Sequence, residues 1–203
     1  MKKKLLMFST VTLLFISLIL AGCTSNTRNP DKTLEVLKDL DSYTSDIKID
    51  IKNDKNVISY SGKQYYEKRV GYRLDLGKDR VLIFKEDNIY VKDLKNGLNY
   101  ITDSDFDKLF KLSFINEYIK LLYTNEDIKY SYETISGKEY QLVNLLIPGA
   151  NRSLNKASMF VDVKTMLPDH VVVYDQNGNP KVNIEYLNFS SNIDIEKDKF
   201  KTD

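Results

Sequence analysis

From residue 29 onward the chain alternates between two hydrophobic periods. Leu34, Leu37 and Leu40, with Val36 beside them, form one apolar stripe behind Asn29-Pro30-Asp31. Asn is a favoured N-cap, proline suits the first helical position, and Asp is stabilised at the positive end of the helix dipole. This predicts a helix ending near Tyr43. From Ile47 the period falls to two, with Ile47-Lys48-Ile49-Asp50-Ile51-Lys52 alternating strictly, as in a strand with one buried and one wet face. A turn at residues 53–56 leads into a strand over 57–66, with Gly62 as a bulge. Further short strands follow over 71–76, 80–84, 89–91 and 98–101, each closed by Asn, Asp or Gly, which describes an antiparallel meander.

The period returns to helical between Asp103 and Tyr123. Phe106, Leu109, Phe110 and Phe114 share one face; Ile115, Tyr118, Ile119 and Leu122 repeat the spacing. Asp103 or Ser104 is the expected cap, and Ser113 the joint between two short helices. Strands then resume over 128–132, 140–147, 157–163, 170–174 and 181–189. Asn177-Gly178 is the clearest signal for a two-residue hairpin, and the tail after Asn192 adds a short strand or lies along an edge. About ten or eleven antiparallel strands, a preceding helix and a helical insertion make an α+β domain, helices gathered on one face of a large curved sheet.

Residues 1–22 carry a different pattern. Lys2, Lys3 and Lys4 precede a nearly unbroken apolar run, Leu5 to Leu20, which ends in Ala21-Gly22-Cys23. A positive n-region, an apolar core and small residues before a cut site make a secretory signal. The run of about 16 residues is short against the roughly 20 a bilayer span requires, which weighs against an uncleaved membrane anchor. Leu20-Ala21-Gly22-Cys23 resembles a bacterial lipobox, which implies cleavage between Gly22 and Cys23 and attachment of lipid to Cys23. Each buried methylene then adds about 0.8 kcal/mol, so two or three acyl chains hold a protein firmly on a membrane. The expected organisation is a signal peptide at 1–22, a lipidated polar tether at 23–29, and one domain over 30–203 on the extracytoplasmic side.

Cys23 is the one cysteine in the chain, so no disulfide braces this domain. Losing the three signal lysines takes the formal net charge from +1 to about −2, which gives nucleic acid no electrostatic hold. With 14 Tyr, 9 Phe and no Trp, the composition favours β structure. Its richness in Lys, Asn, Asp, Ile and Tyr fits an AT-rich Gram-positive genome.

Candidate chemistry is sparse. The one histidine, His170, lies in a predicted strand, and with no second histidine or free thiol the usual zinc site has no ligands. Asp103-Ser104-Asp105-Phe106-Asp107 looks like a calcium loop, but Lys108 and Phe114 occupy the positions that need Gly and Glu. There is no nucleophile elbow and no phosphate-binding glycine motif, and most carboxylates fall on wet strand faces or in turns. No catalytic residue, metal or cofactor is expected. The helical insertion has two readings. It is ordinary core, or it is a lid over an apolar cavity formed by Phe106, Leu109, Phe110, Phe114 and Tyr118.

The order of elements resembles the LolA/LolB-like lipoprotein-carrier superfamily: a capped helix, a meander containing Tyr72-Arg73-Leu74 and the Val81–Val91 hairpin, a helical insertion, then more strands. The resemblance implies a strongly curved, open antiparallel half-barrel with helices on its concave face. The lipobox and the Lys/Asn/Tyr-rich texture are similar to the clostridial spore-germination lipoproteins of the GerS type. That resemblance implies a non-enzymatic lipoprotein on a forespore-surrounding membrane, partner of a CwlD-type N-acetylmuramoyl-L-alanine amidase, a zinc enzyme of spore-cortex modification. A carrier or sensor of acyl chains is the alternative, and exposed sheet edges permit a homodimer by strand pairing or swapping.

Overall fold

The structure, a computed structural model, describes residues 28–103, 107–124, 128–149 and 152–202. Helix α1 (Pro30–Lys38) precedes β1 (Ser42–Lys52), β2 (Val57–Glu67), β3 (Gly71–Leu76), β4 (Arg80–Lys85), β5 (Asn88–Asp93) and β6 (Leu98–Asp103). Two short helices follow, α2 (Lys108–Leu112) and α3 (Ile115–Leu122). The chain continues through β7 (Lys129–Ile135), β8 (Lys138–Leu146), β9 (Lys156–Asp162), β10 (Pro168–Tyr174) and β11 (Pro180–Ser191) to a 3-10 turn at Lys197–Phe200.

All eleven strands join one curved, unclosed antiparallel sheet in the order β6-β5-β4-β3-β2-β1-β11-β10-β9-β8-β7. Every neighbour is also a neighbour in sequence except at the centre, where β1 pairs with β11 from Tyr43↔Ser191 to Ile51↔Val182. Two meanders are thus joined back to back, and β6 and β7 are the edges. Alternation places the turns on two rims. The chain enters on one rim, where Arg28 pairs with Glu139 and Gln141 Nε2 donates to the Pro30 carbonyl. The turns at 53–56, 77–79 and 94–97, and those between β8 and β9 and between β10 and β11, stand on the opposite, distal rim.

Period two sorts the faces. Ile47 and Ile49 of β1, Leu74, Val143, Val171 and Ile184 point to the concave side and join the helices in one apolar core. The other face is mixed: Ile83, Tyr140 and Phe160 are buried on it apart from the main core, while Lys48 pairs with Asp50 at 2.8 Å and Ser59 Oγ donates to the same carboxylate. The tail neither adds a strand nor follows an edge, as the sequence suggested; it crosses this outer side of β3, an interior strand, where Arg73 donates to the Lys199 carbonyl at 2.6 Å and Phe200 is buried.

Four other sequence expectations change. Helix α1 is capped by Asn29 as expected, with its Oδ1 accepting from the Lys32 N–H, but it stops at Lys38. Ser42, Tyr43 and Thr44 pair with β2, and Tyr43 and Thr44 with β11 as well, so sheet hydrogen bonds on both sides override helical spacing. Gly62 forms no bulge. It pairs in regular register with Ile47 and Leu76, and a Cβ there would lie 2.0 Å from the Asp75 carbonyl oxygen. Asn177-Gly178 lies in a longer loop between Asp175 and Asn179, with Gly178 at φ 82°. The Asp175 carboxylate accepts from the Asn177 and Asn179 N–H groups and sets that loop. Asp107 caps α2, where the sequence pointed to Asp103 or Ser104; Asp103 is in β6 and Ser104 lies outside the described residues.

Candidate functional site

The concave face is filled by the chain's own insertion. Helix α2 is only five residues and α3 only eight, too short to be stable alone in water. Burial holds them. Phe114, Ile115, Tyr118 and Leu122 have no exposed surface, Leu112 and Phe110 are buried, and Leu109 is half-buried against the same core. Phe106, Gly22 and Cys23 lie outside the described residues.

The joint between the helices is held by hydrogen bonds from the sheet. Tyr186 Oη of β11 donates to the Ser113 carbonyl at 2.7 Å, and Gln64 Nε2 of β2 donates to Ser113 Oγ at 2.6 Å. The Ile115 N–H donates to Tyr43 Oη at 3.1 Å, so β1 caps the orphan start of α3. Further along α3, Tyr118 Oη donates to the Val143 carbonyl of β8 at 2.7 Å. Tyr72 Oη of β3 donates to the buried Glu117 carboxylate at 2.9 Å. Five strands therefore reach the insertion with polar groups as well as apolar ones. Gln64 Oε1 is buried without a partner.

Aromatic rings run across the same region. Phe189, Tyr43, Tyr66, Tyr72, Phe114 and Phe84 form a continuous ladder with centroids 4.9–5.4 Å apart, in the range where tilted and offset pairs attract. Burial of these phenols disfavours the charged form. It pushes Tyr66 up to about 12 and holds Tyr43, Tyr118 and Tyr186 well above the ordinary phenol range. Tyr72 is raised by burial and further by the Glu117 charge beside it.

An apolar pocket lies under α2 and α3. It is lined by Leu109, Leu112, Leu121, Ile147, Pro148 and Leu154, with Lys108, Lys111 and Lys120 around it. Its volume of about 250 Å³ falls below the roughly 300–1,000 Å³ usual for small-molecule sites. A second, polar depression of about 540 Å³ opens on the distal rim beside Ser59, Asp79, Arg80 and Asn96.

Leu109, Phe110, Phe114 and Tyr118 all pack in or against the apolar core. His170 lies in β10, its ring stacked on Phe160 at 4.1 Å and its Nδ1 2.9 Å from Asp169. Among the described residues no group of three His, Cys, Asp or Glu is placed to hold a metal, and no helix is long and apolar enough to cross a membrane. Sequence reasoning passed over Tyr43, Gln64 and Tyr186. One signal was readable: Gln64 interrupts the inward face of β2, between Gly62 and Tyr66, where an apolar residue is the rule.

Known structures align with the chain. An uncharacterised conserved protein of Thermus thermophilus aligns with a TM-score of 0.56 at 7% identity, covering 85% of this chain and 94% of that one. The structure of the CwlD amidase from Clostridioides difficile in complex with the GerS lipoprotein aligns with a TM-score of 0.49 at 22% identity, covering 79% and 92%. A LolA superfamily protein from Nitrosomonas europaea aligns with a TM-score of 0.42 at 12% identity, covering 84% and 96%. No curated protein matches the chain. The model of one family, described as sporulation protein YdcC-like, matches residues 2–200. By that match over nearly its whole length, the chain belongs to the YdcC-like sporulation proteins.

Proposed function

We propose that this chain is a non-catalytic lipoprotein of the spore envelope, anchored through Cys23, that binds and activates a CwlD-type N-acetylmuramoyl-L-alanine amidase. The amidase then modifies the cortex so that it can be degraded at germination. Family membership supports the sporulation setting. The observation that carries the binding-module reading is the filled concave face. Helices α2 and α3 occupy the space a lipid carrier needs, and five hydrogen bonds with the sheet fasten them. The class of partner comes from the sequence resemblance to GerS-type lipoproteins. A module that binds only the active conformation of an enzyme stabilises it by mass action and needs no catalytic group of its own. Pairing of two copies belongs to the same proposal; the β6 edge, with Tyr100 and Ile101 exposed, is the open strand for it.

The test is amidase activity with and without the purified full chain, together with size-exclusion chromatography of the mixture. Co-elution with raised activity is expected. Separate peaks with unchanged activity would sink the proposal.

A second reading, a carrier or sensor of acyl chains, is favoured by the lysine-fringed apolar pocket at Leu109, Leu121 and Pro148. Lipid found by mass spectrometry in protein purified without added lipid would promote it over the first.

A further inference from the structure

We infer that the distal rim is the docking surface, and that it receives an acidic face of the partner protein; the inference rests on the amidase reading above. Three observations converge. The first is where exposed apolar side chains stand. Of the six described large hydrophobic residues that are more than half exposed, four lie on this rim: Val57, Leu94, Leu98 and Leu146. Each flanks a distal turn, and each is a side chain that burial in an interface would stabilise.

The second is charge. Lys52, Lys55, Lys78, Lys95, Lys108 and Arg152 are all exposed on or beside the distal turns, and none forms an ion pair with a described residue. The exposed acids among these turns are Asp54 and Asp79, and Asp54 already pairs with Lys181. The entry rim is more balanced: Arg28 pairs with Glu139, Lys68 with Asp41, and Lys138 with both Asp162 and Asp169, while its other exposed cations Arg69, Lys85 and Lys164 share the rim with the exposed acids Glu86 and Asp87. A rim of unneutralised cations around scattered apolar residues is complementary to an acidic protein surface and speeds encounter with it.

The third is the position of the chain that precedes the described residues. It joins the fold at Arg28, on the entry rim. With lipid on Cys23, residues 24–29 hold that rim close to the membrane. The distal rim then faces away from the lipid, towards whatever approaches from the wall side. The same geometry argues against a lipid surface as its occupant.

The experiment compares three forms of the full chain, co-expressed with the amidase of the same organism and recovered from detergent-solubilised membranes. They are the wild type, a distal-rim variant (Lys52→Glu, Lys78→Glu and Lys95→Glu) and an entry-rim variant (Glu86→Lys and Asp87→Lys). All of these positions are exposed and lie outside the core, and equal urea midpoints check that each form is folded. The distal-rim variant is expected to retain less than about a tenth of the amidase that the wild type retains. The entry-rim variant is expected to match the wild type, and high salt to weaken wild-type recovery. Equal recovery by all three forms overturns the docking surface while leaving the amidase reading intact. No recovery by the wild type overturns the amidase reading and this inference with it. The wild type and the distal-rim variant, both anchored, are expected to bind neutral phosphatidylcholine vesicles alike; tighter binding to phosphatidylglycerol vesicles by the wild type alone would assign the rim to lipid and overturn the inference.

Discussion

Tyr186 and Ser113 are 73 residues apart in sequence, yet the Tyr186 hydroxyl donates to the Ser113 carbonyl at 2.7 Å inside the core. That bond fastens the joint between α2 and α3 to the middle of the sheet. Tyr186→Phe keeps the ring and strands the carbonyl, so a loss of about 1–3 kcal/mol is expected. Urea denaturation measures it. An unchanged midpoint would show that water or another donor replaces the hydroxyl.

Phe114 bridges Tyr72 and Phe84 with no exposed surface. Phe114→Ala removes the ring that closes the concave face and should cost about 3–5 kcal/mol. It should also open a dry, apolar void. The variant, if folded, is expected to gain more stability than the wild type on addition of benzene. Equal response of both would mean that the wall had collapsed into the space.

Gly62 faces the Asp75 carbonyl too closely for any side chain. Gly62→Ala therefore forces β2 and β3 apart where they pair, and a loss of about 1–3 kcal/mol is expected. Gly137→Ala, at a turn with nothing within 4 Å, is the comparison. It carries only the strain of its φ of 81°. A similar loss for both would remove the close approach as the cause.

Alkali should unfold the protein through its buried phenols. Tyr43, Tyr66, Tyr118 and Tyr186 have folded pKa values above the ordinary 10.0, so the folded state holds protons that the unfolded state releases. Their contribution is complete below about pH 10 and is lost progressively as pH rises beyond it. Urea midpoints are expected to be level up to about pH 9.5 and to fall above pH 10, with tyrosinate absorbance rising in step with unfolding. Tyr186→Phe should fall less steeply. Tyrosinate formation without any loss of stability would contradict the burial of these rings.

Much of this fold was legible because its turns advertise themselves. Asn53, Gly77, Asn96 and Gly137 each mark a reversal, and Ile47-Lys48-Ile49 announces its two faces. The joint at Ser113 was also readable from the break in the apolar spacing. What local pattern does not encode is the company a residue keeps. Tyr43 continues a helical stripe in sequence, but two neighbouring strands claim it. Gln64 and Tyr186 matter for bonds made 49 and 73 residues away, and nothing beside them in the sequence indicates those partners.

The pairing of β1 with β11 also governs the order of assembly. Each meander consists of near-neighbour hairpins, which close quickly. The contact that unites them joins Tyr43 to Ser191 and carries the highest entropic cost of closure in the sheet. Until β11 is made, β1 has one bare side, and the inner face of the first meander lacks both Tyr186 and the second half of its core. During synthesis the early hairpins must wait, sticky and half-paired, for the final strand. A chain cut short before residue 180 would leave β1 available to any passing strand, so aggregation rather than simple loss of activity is the expected fate of such a truncation.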